Sequence, residues 1–429
     1  MSSFTLTPLS SIEGRIEILL VTLPPASDQY IDHYYHELVS TFKDRESVIR
    51  FRNYEPPRHP NRPLKKQHFE ELDFEDRLHS LMGGRKVLSF LGGRDFLEDY
   101  VGELIEFMKL GFPIANSEWA QDPFSVLQSA NGSPVLLQPL FSDRYMDKFI
   151  SLALAANPEL DALIKPTNLL IEGGNILSCG DLLLVGKDLL AQNILRRLKK
   201  SEGLNGSENL IEEIERSFLS EFGCRHIYWV GFEKALPDLT RENHLTYQPA
   251  FHIDLFLTCG GRQASGQELL FCGDPSLSVD LLSGKVPPAF SRISPAILEN
   301  FALFRSTFEN KGPGSFSELP DIDIVSLPIY MYRGVTYSYN NCLVESFAGK
   351  RIAYLPNYLV SDEDDRYHEL NPVFRLLQQA TEEIFLRHGF TQVNWIGPAK
   401  FFRTLSQMRG SLHCITKVLK RSSIQDHRL

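Results

Sequence analysis

Cys414 stands in "SLHCIT", a short β-like stretch just ahead of the basic "KVLKRSS". A thiol placed there is either a core cysteine or a nucleophile. A nucleophilic thiol needs a proton partner, and that partner needs something to orient it. Three other stretches supply such groups. "FHIDLF" carries His252 and Asp254 two residues apart, a spacing that on a strand puts both on one face. "IEGGN" carries Glu172 at a Gly-Gly turn, and "EWAQDPF" carries Trp119 and Asp122. Each also has a plain structural reading: a core histidine, a solvated loop acid, a turn-starting aspartate before Pro123, a packing tryptophan. A half-buried His–Asp pair is costly without a role, which favours chemistry at 252 and 254. On a strand, His413 falls on the face opposite Cys414 and reads as structural.

These residues must be brought together by elements that repeat. "LLLVG" (182–186) reads as a strand, 188–200 and 210–223 have helical spacing, and "HIYWVGF" is again a strand. "NLLIEGG" before them reads as a strand reaching a turn. The order returns with "FHIDLFLT", "ELLFCGD", a helix over 295–310 with Ser294 as N-cap, and "DIDIVSLPIY". It returns again with "YNNCLVES", "RIAYLPN", a helix over 371–390 and "QVNWIG". "WAQDPFSVLQ", "PVLLQPL" and a helix over 147–160 precede these, and "IEILLVTL" with a helix over 30–42 gives an N-terminal copy. The unit is strand, strand, helix, strand. Radial repetition is one way to bury every copy, and it brings the first strands to a shared centre. Asp122, Glu172, His252 with Asp254, and Cys414 all lie at the starts of such strands. Residues 56–76, 201–209, 260–266 and 282–288 read as loops, and the acidic 361–365 as a solvated loop or helix start. The basic residues 417–429 read as a flexible tail.

The chain has 429 residues, 43% hydrophobic and 23% charged, as a globular protein with a substantial core requires. A net charge of −10 argues against a general nucleic-acid binder. The six cysteines are scattered, without metal-ligand spacing, and read as reduced thiols of a cytoplasmic protein. The N-terminus lacks the layout of a signal peptide, and no apolar run reaches the roughly 18 residues of a membrane helix.

"EWAQDPF", "IEGGN", "FHIDLF" and "SLHCIT", in that order, resemble the guanidino-group-modifying enzymes of the pentein fold. These include agmatine, arginine and peptidylarginine deiminases, dimethylarginine hydrolases and amidinotransferases. The resemblance runs from Trp119 to about Thr416. It implies an α/β-propeller, five ββαβ modules round a pseudo-fivefold axis, in one catalytic domain spanning 1–429: an N-terminal module over about 15–95, catalytic modules over about 96–416 and the tail. It implies Cys414 as nucleophile, His252 as general acid/base and Glu172 as its orienting carboxylate. Asp122 and Asp254 would grip a guanidinium, with Trp119 and Asn341 (in "YSYNNCLV") completing the substrate site.

A guanidinium is a planar, resonance-stabilised cation that binds carboxylates through a two-pronged fork. Two carboxylates can hold it flat, a thiolate can attack its central carbon, and an imidazole can protonate the leaving nitrogen. Water then resolves a covalent thiouronium to a ureido product, with no metal or organic cofactor. The expected partner is a small guanidinium (agmatine, arginine or a modified arginine) and neither nucleic acid nor membrane; a homodimer is compatible. Gln121 and "HIDLFL" resemble the peptidylarginine deiminases, so arginine in a protein is a rival substrate. An amidinotransferase and an inactive pentein-fold binding protein are the other rivals.

Overall fold

The computed structural model describes residues 6–23, 47–52, 119–140, 150–151, 154–155, 160–200, 210–239, 244–309, 321–360, 368–397 and 399–422. The helix expected over 30–42, most of that over 147–160, the loops 56–76 and 201–209 and the acidic run 361–365 lie outside them.

Five sheets share one pattern, an antiparallel pair followed by a parallel third strand. Ser125–Gln128 pairs with Pro134–Pro139, which runs parallel to Leu163–Thr167. Ile176–Cys179, Leu182–Gly186 and His226–Val230 repeat this, as do Leu257–Arg262, Glu268–Asp274 and Ile322–Tyr332. The fourth sheet is Leu343–Phe347, Lys350–Pro356 and Gln392–Ile396. Parallel neighbours need a crossover. Helices Lys187–Lys200 and Leu210–Phe222 supply it in the second sheet, Pro275–Leu282 and Pro295–Glu309 in the third, and Asn371–Arg387 in the fourth. Asp274 caps its helix by accepting from the N–H groups of Ser276 and Leu277, with Pro275 in the first turn.

The fifth sheet joins the two ends of the described chain. Thr416–Arg421 pairs antiparallel with Ile16–Leu23, which runs parallel to Ser47–Arg52. Residues 417–421 are therefore not a flexible tail. The Arg421 guanidinium donates to the carbonyls of Ser11, Ile12, Gly14 and Val344, so its buried charge is held by four acceptors. Buried Glu345 accepts from Ile16 N–H (2.8 Å) and the Tyr354 hydroxyl (2.7 Å), tying the fifth sheet to the fourth.

Phe256, Phe271, Phe301, Phe304 and Phe385 lie in a core shared by the second, third and fourth sheets. Tyr330, Tyr337, Tyr354, Tyr358 and Phe374 lie in a second core with Phe402. Cys179 and Cys259 form a disulfide between the second and third sheets, against the expectation of six free thiols. Cys272, Cys342 and Cys414 are buried free thiols. Among the described residues no helix is long and apolar enough to cross a membrane.

Three predicted strands differ in a consistent way. The backbone of "NLLIEGG" forms no strand. The Asn193 side chain takes both backbone groups of Leu170, and Arg196 donates to the Asn168 carbonyl, so this segment is bound by a helix in place of a neighbouring strand. "FHIDLFLT" begins as a 3-10 turn at Ile253–Leu255, closed by Leu255 N–H to His252 O (3.2 Å) and Phe256 N–H to Ile253 O (3.1 Å); the strand starts at Leu257. "SLHCIT" is also a turn, with Thr416 donating from N–H to His413 O and from Oγ1 to Leu412 O. In all three the peptide groups are satisfied outside a strand ladder, by a helix's side chains in the first and within the turn in the other two, which frees the side chains from strand alternation.

Candidate active site

The residues singled out by type occupy five equivalent places. Asp122, Glu172, Asp254, Asn341 and Cys414 each sit in the turn that enters the first strand of one sheet. A turn there can aim both side chains and backbone N–H groups at a neighbour, because neither is committed to the ladder.

His252 is buried, 3% exposed. Its Nε2 lies 3.3 Å from Glu172 Oε2, and its Nδ1 lies 3.7 Å from Asp122 Oδ1. Asp122 Oδ1 accepts the Gly174 N–H at 3.2 Å, and Glu172 Oε2 accepts from the Asn175 amide at 3.3 Å. Burial by itself disfavours an imidazolium, but Asp122, Glu172 and Asp254 outweigh it and lift the His252 pKa to about 9. His252 is therefore protonated at neutral pH.

The two glycines after Glu172 are required by close approach. A Cβ on Gly174 would fall onto the His252 ring and 3.2 Å from Asp122 Oδ1. One on Gly173 would fall onto the Gln121 carbonyl and 2.6 Å from Lys417 Nζ. The Gly-Gly pair lets the Glu172 turn slide between the Asp122 turn and His252.

Cys414 is held from the Asn341 side. The Asn341 amide donates to Cys414 Sγ at 3.2 Å, and its Oδ1 accepts the Cys414 N–H at 3.2 Å. Sγ lies 3.8 Å from Asp254 Oδ2. Burial, then Asp254 and Asp122, push the thiol pKa well above its ordinary value, while hydrogen bonds from the Ser411 backbone and Asn341 work the other way. Cys414 is therefore held in its thiol form. The other oxygen of Asp254, Oδ1, is buried and has no hydrogen-bond partner among the described residues.

His252 and Asp254 thus face different partners. The shared strand face expected from their spacing does not exist, since both enter through the 3-10 turn. His252 faces Asp122 and Glu172; Asp254 faces Cys414. Trp119 contributes to the framework: its carbonyl accepts the Asp122 N–H at 3.3 Å, and its ring packs on Gly410, close enough that a Cβ there would strike it. Gln121 is also a tie, with its N–H on Cys414 O (3.2 Å) and its amide on Gly173 O (3.4 Å).

Two residues escape a reading by motif. His413 does not turn away from the site; its Nδ1 lies 2.8 Å from Asp254 Oδ2. Lys417, read from sequence as tail, is buried. Its Nζ donates to Gln121 O at 2.8 Å and lies 5.5 Å over the Phe124 ring. Burial lowers the Lys417 pKa to about 7, although Asp122 and Asp254 favour its charge. The only sequence signal for it was a β-like alternation in "TKVLKR", masked by the surrounding positive charge.

The sequence matches no known family model and no curated relative. Solved structures do match. An agmatine deiminase from C. jejuni superposes with a TM-score of 0.54 at 13% identity, covering 99% of both chains. A provisionally assigned peptidyl-arginine deiminase superposes with a TM-score of 0.53 at 15% identity, covering 98% of this chain and all of the other. The chain shares their mixed α/β fold over nearly its whole length, in agreement with the motif resemblance.

Proposed function

We propose that the protein is a cysteine-dependent hydrolase of a guanidino compound, a deiminase that releases ammonia or an alkylamine and leaves a ureido group. One observation carries this reading: a buried thiol from the turn entering the fifth sheet meets a buried imidazole, raised in pKa, and a buried carboxylate oxygen without a hydrogen-bond partner among the described residues, both from the turn entering the third. A guanidinium satisfies what that arrangement lacks. Its N–H groups match Asp254 Oδ1 and the Asp122 carboxylate, and its positive charge offsets the anions that keep Cys414 protonated. Five sheets of one pattern, each contributing an entry turn, support a radial five-bladed arrangement around this centre.

In the mechanism the arriving cation offsets part of the charge of Asp122 and Asp254, and the thiol proton leaves to solvent. Cys414 sulfur bonds to the guanidinium carbon and a neutral tetrahedral adduct forms. His252 gives its proton to one nitrogen, the C–N bond breaks and an amine departs. The cationic thiouronium is attacked by water, from which neutral His252 takes a proton. Collapse of this second adduct breaks the C–S bond, the sulfur leaving with its electron pair and the hydroxyl proton passing to it, which regenerates the thiol and yields the ureido product. The sum is guanidinium plus water giving a urea and ammonium. Glu172 keeps the imidazole oriented, and Asn341 steadies the sulfur in both states.

Arginine within a peptide is the second substrate reading, favoured by the Gln121 and "HIDLFL" wording and by the fold shared with the provisionally assigned peptidyl-arginine deiminase. A colorimetric ureido assay with agmatine, arginine, methylarginines and an arginine peptide, run on wild type and Cys414→Ala, tests both. Product from at least one member, absent in the variant, is expected. No product from the whole panel refutes hydrolysis; product that forms only with an added amine acceptor would make the protein an amidinotransferase.

A further inference from the structure

We propose that His413 is a positioning residue for the cation-binding carboxylate, holding one oxygen of Asp254 so that the other is presented to the substrate. The inference rests on the guanidine reading above and assigns a role to a residue outside the nucleophile, acid/base and carboxylate set.

Asp254 divides its two oxygens sharply. Oδ2 meets His413 Nδ1 at 2.8 Å and is also the oxygen 3.8 Å from Cys414 Sγ. Oδ1 is buried with no hydrogen-bond partner among the described residues. An ionised carboxylate only accepts, so His413 donates its Nδ1–H. The terminal torsion of an aspartate is broad and roughly two-fold, so a carboxylate without a fixed donor is free to rotate and spread its charge toward the sulfur. The His413 bond fixes the carboxylate plane. It also places a donor on the oxygen nearest Cys414, leaving the more strongly negative Oδ1 for the cation.

The backbone that carries the imidazole is itself held. The His413 backbone N–H donates to Asn341 O (3.4 Å) and the adjacent Cys414 backbone N–H to Asn341 Oδ1 (3.2 Å), while the Asn341 amide reaches the Asp254 carbonyl at 3.5 Å. Three entry turns thus clamp one another, with the His413–Asp254 bond as one side-chain link among them. His413 is 16% exposed in its side chain and Asp254 2%, so the pair spans from the rim of the site to its floor.

The test compares alkylation of Cys414 by two probes, neutral iodoacetamide and cationic 2-chloroacetamidine. In each the sulfur displaces halide, forming C–S and breaking C–halogen, with the thiol proton lost to solvent. The modified Cys414 peptide is quantified by mass spectrometry in full-length wild type, His413→Ala, His413→Asn and His413→Gln. Wild type should prefer the amidinium. His413→Ala should lose about tenfold or more of that preference, the scale of one charge-assisted hydrogen bond. His413→Asn should recover most of it, because its amide nitrogen falls where Nδ1 stood, and His413→Gln should not. Preference retained in His413→Ala overturns the positioning role alone. If alanine fails to fold, equal preference in the Asn and Gln variants overturns it equally. A wild type without any amidinium preference refutes the guanidine reading, and the inference falls with it.

Discussion

Glu172→Gln tests how His252, the proposed acid/base, is charged. Glu172 Oε2 lies 3.3 Å from His252 Nε2 and contributes, with Asp122 and Asp254, to a histidine pKa of about 9. At an effective dielectric of about 20, opposite charges at that separation attract by about 5 kcal/mol. The Glu172 side chain is 28% exposed, so solvent screening cuts the value substantially. About 1–2 kcal/mol remains, which is about one pH unit. Removing an anion disfavours the imidazolium, so the His252 midpoint should fall from about 9 toward about 8. Titration of the His252 ring by NMR measures this without any substrate. The alkaline limb of kcat/KM, where the acid is lost, should move down by the same amount. A midpoint that stays near 9 would show that Asp122 and Asp254 carry the charge effect without Glu172, and would remove Glu172 from the orienting role.

Four further outcomes follow from the same geometry. Cys414→Ser should lower kcat by roughly 10³-fold or more in the ureido assay, with an unchanged thermal midpoint. Gly174→Ala should cost about 1–3 kcal/mol in urea unfolding and reduce turnover, since the added methyl meets His252 and Asp122; Ser would behave alike and wild-type stability would refute the close approach. Lys417→Met should change the pH dependence of stability. The Lys417 pKa is depressed to about 7, so its folded form binds fewer protons than the unfolded chain and stability rises with pH from about 7 toward 10.5. The His252 pKa is raised to about 9, so its contribution is full below 6.5 and lost as pH rises through 9. The two slopes oppose between about 7 and 9; removing Lys417 should expose a fall there in pH-resolved denaturant melts, and an unchanged curve would count against its burial. Finally, Cys179→Ser should destabilise by about 2–4 kcal/mol through loss of the bridge to Cys259, with non-reducing peptide mapping as the check.

Residue type and order picked out Asp122, Glu172, His252, Asp254 and Cys414, the family resemblance added Asn341, and the structure places these six in contacting turns. Periodicity also found most of the strands and helices, because "ELLFCGD", "RIAYLPN" and the 371–387 helix carry long, regular apolar spacing. The short loaded motifs were legible as motifs and illegible as conformation. Each reads as an extended strand, yet 3-10 turns and side-chain hydrogen bonds satisfy the backbone there, a local competition that apolar alternation does not register.

What the sequence determined, then, is the chemistry available: which groups can attack, transfer protons and bind a cation. What only the tertiary structure decided is how those groups are charged and who their partners are. His252 is lifted to about 9 chiefly by Asp122 and Glu172, carboxylates from other sheets, with Asp254 of its own turn, and Asp254 is divided between His413 and an open oxygen. Lys417 turns from apparent tail into a buried cation because the strand Thr416–Arg421 pairs with Ile16–Leu23, almost the full length of the chain away. Burial and Coulomb interaction depend on distance in space, and the contacts that set them here join residues from sheets far apart in the sequence.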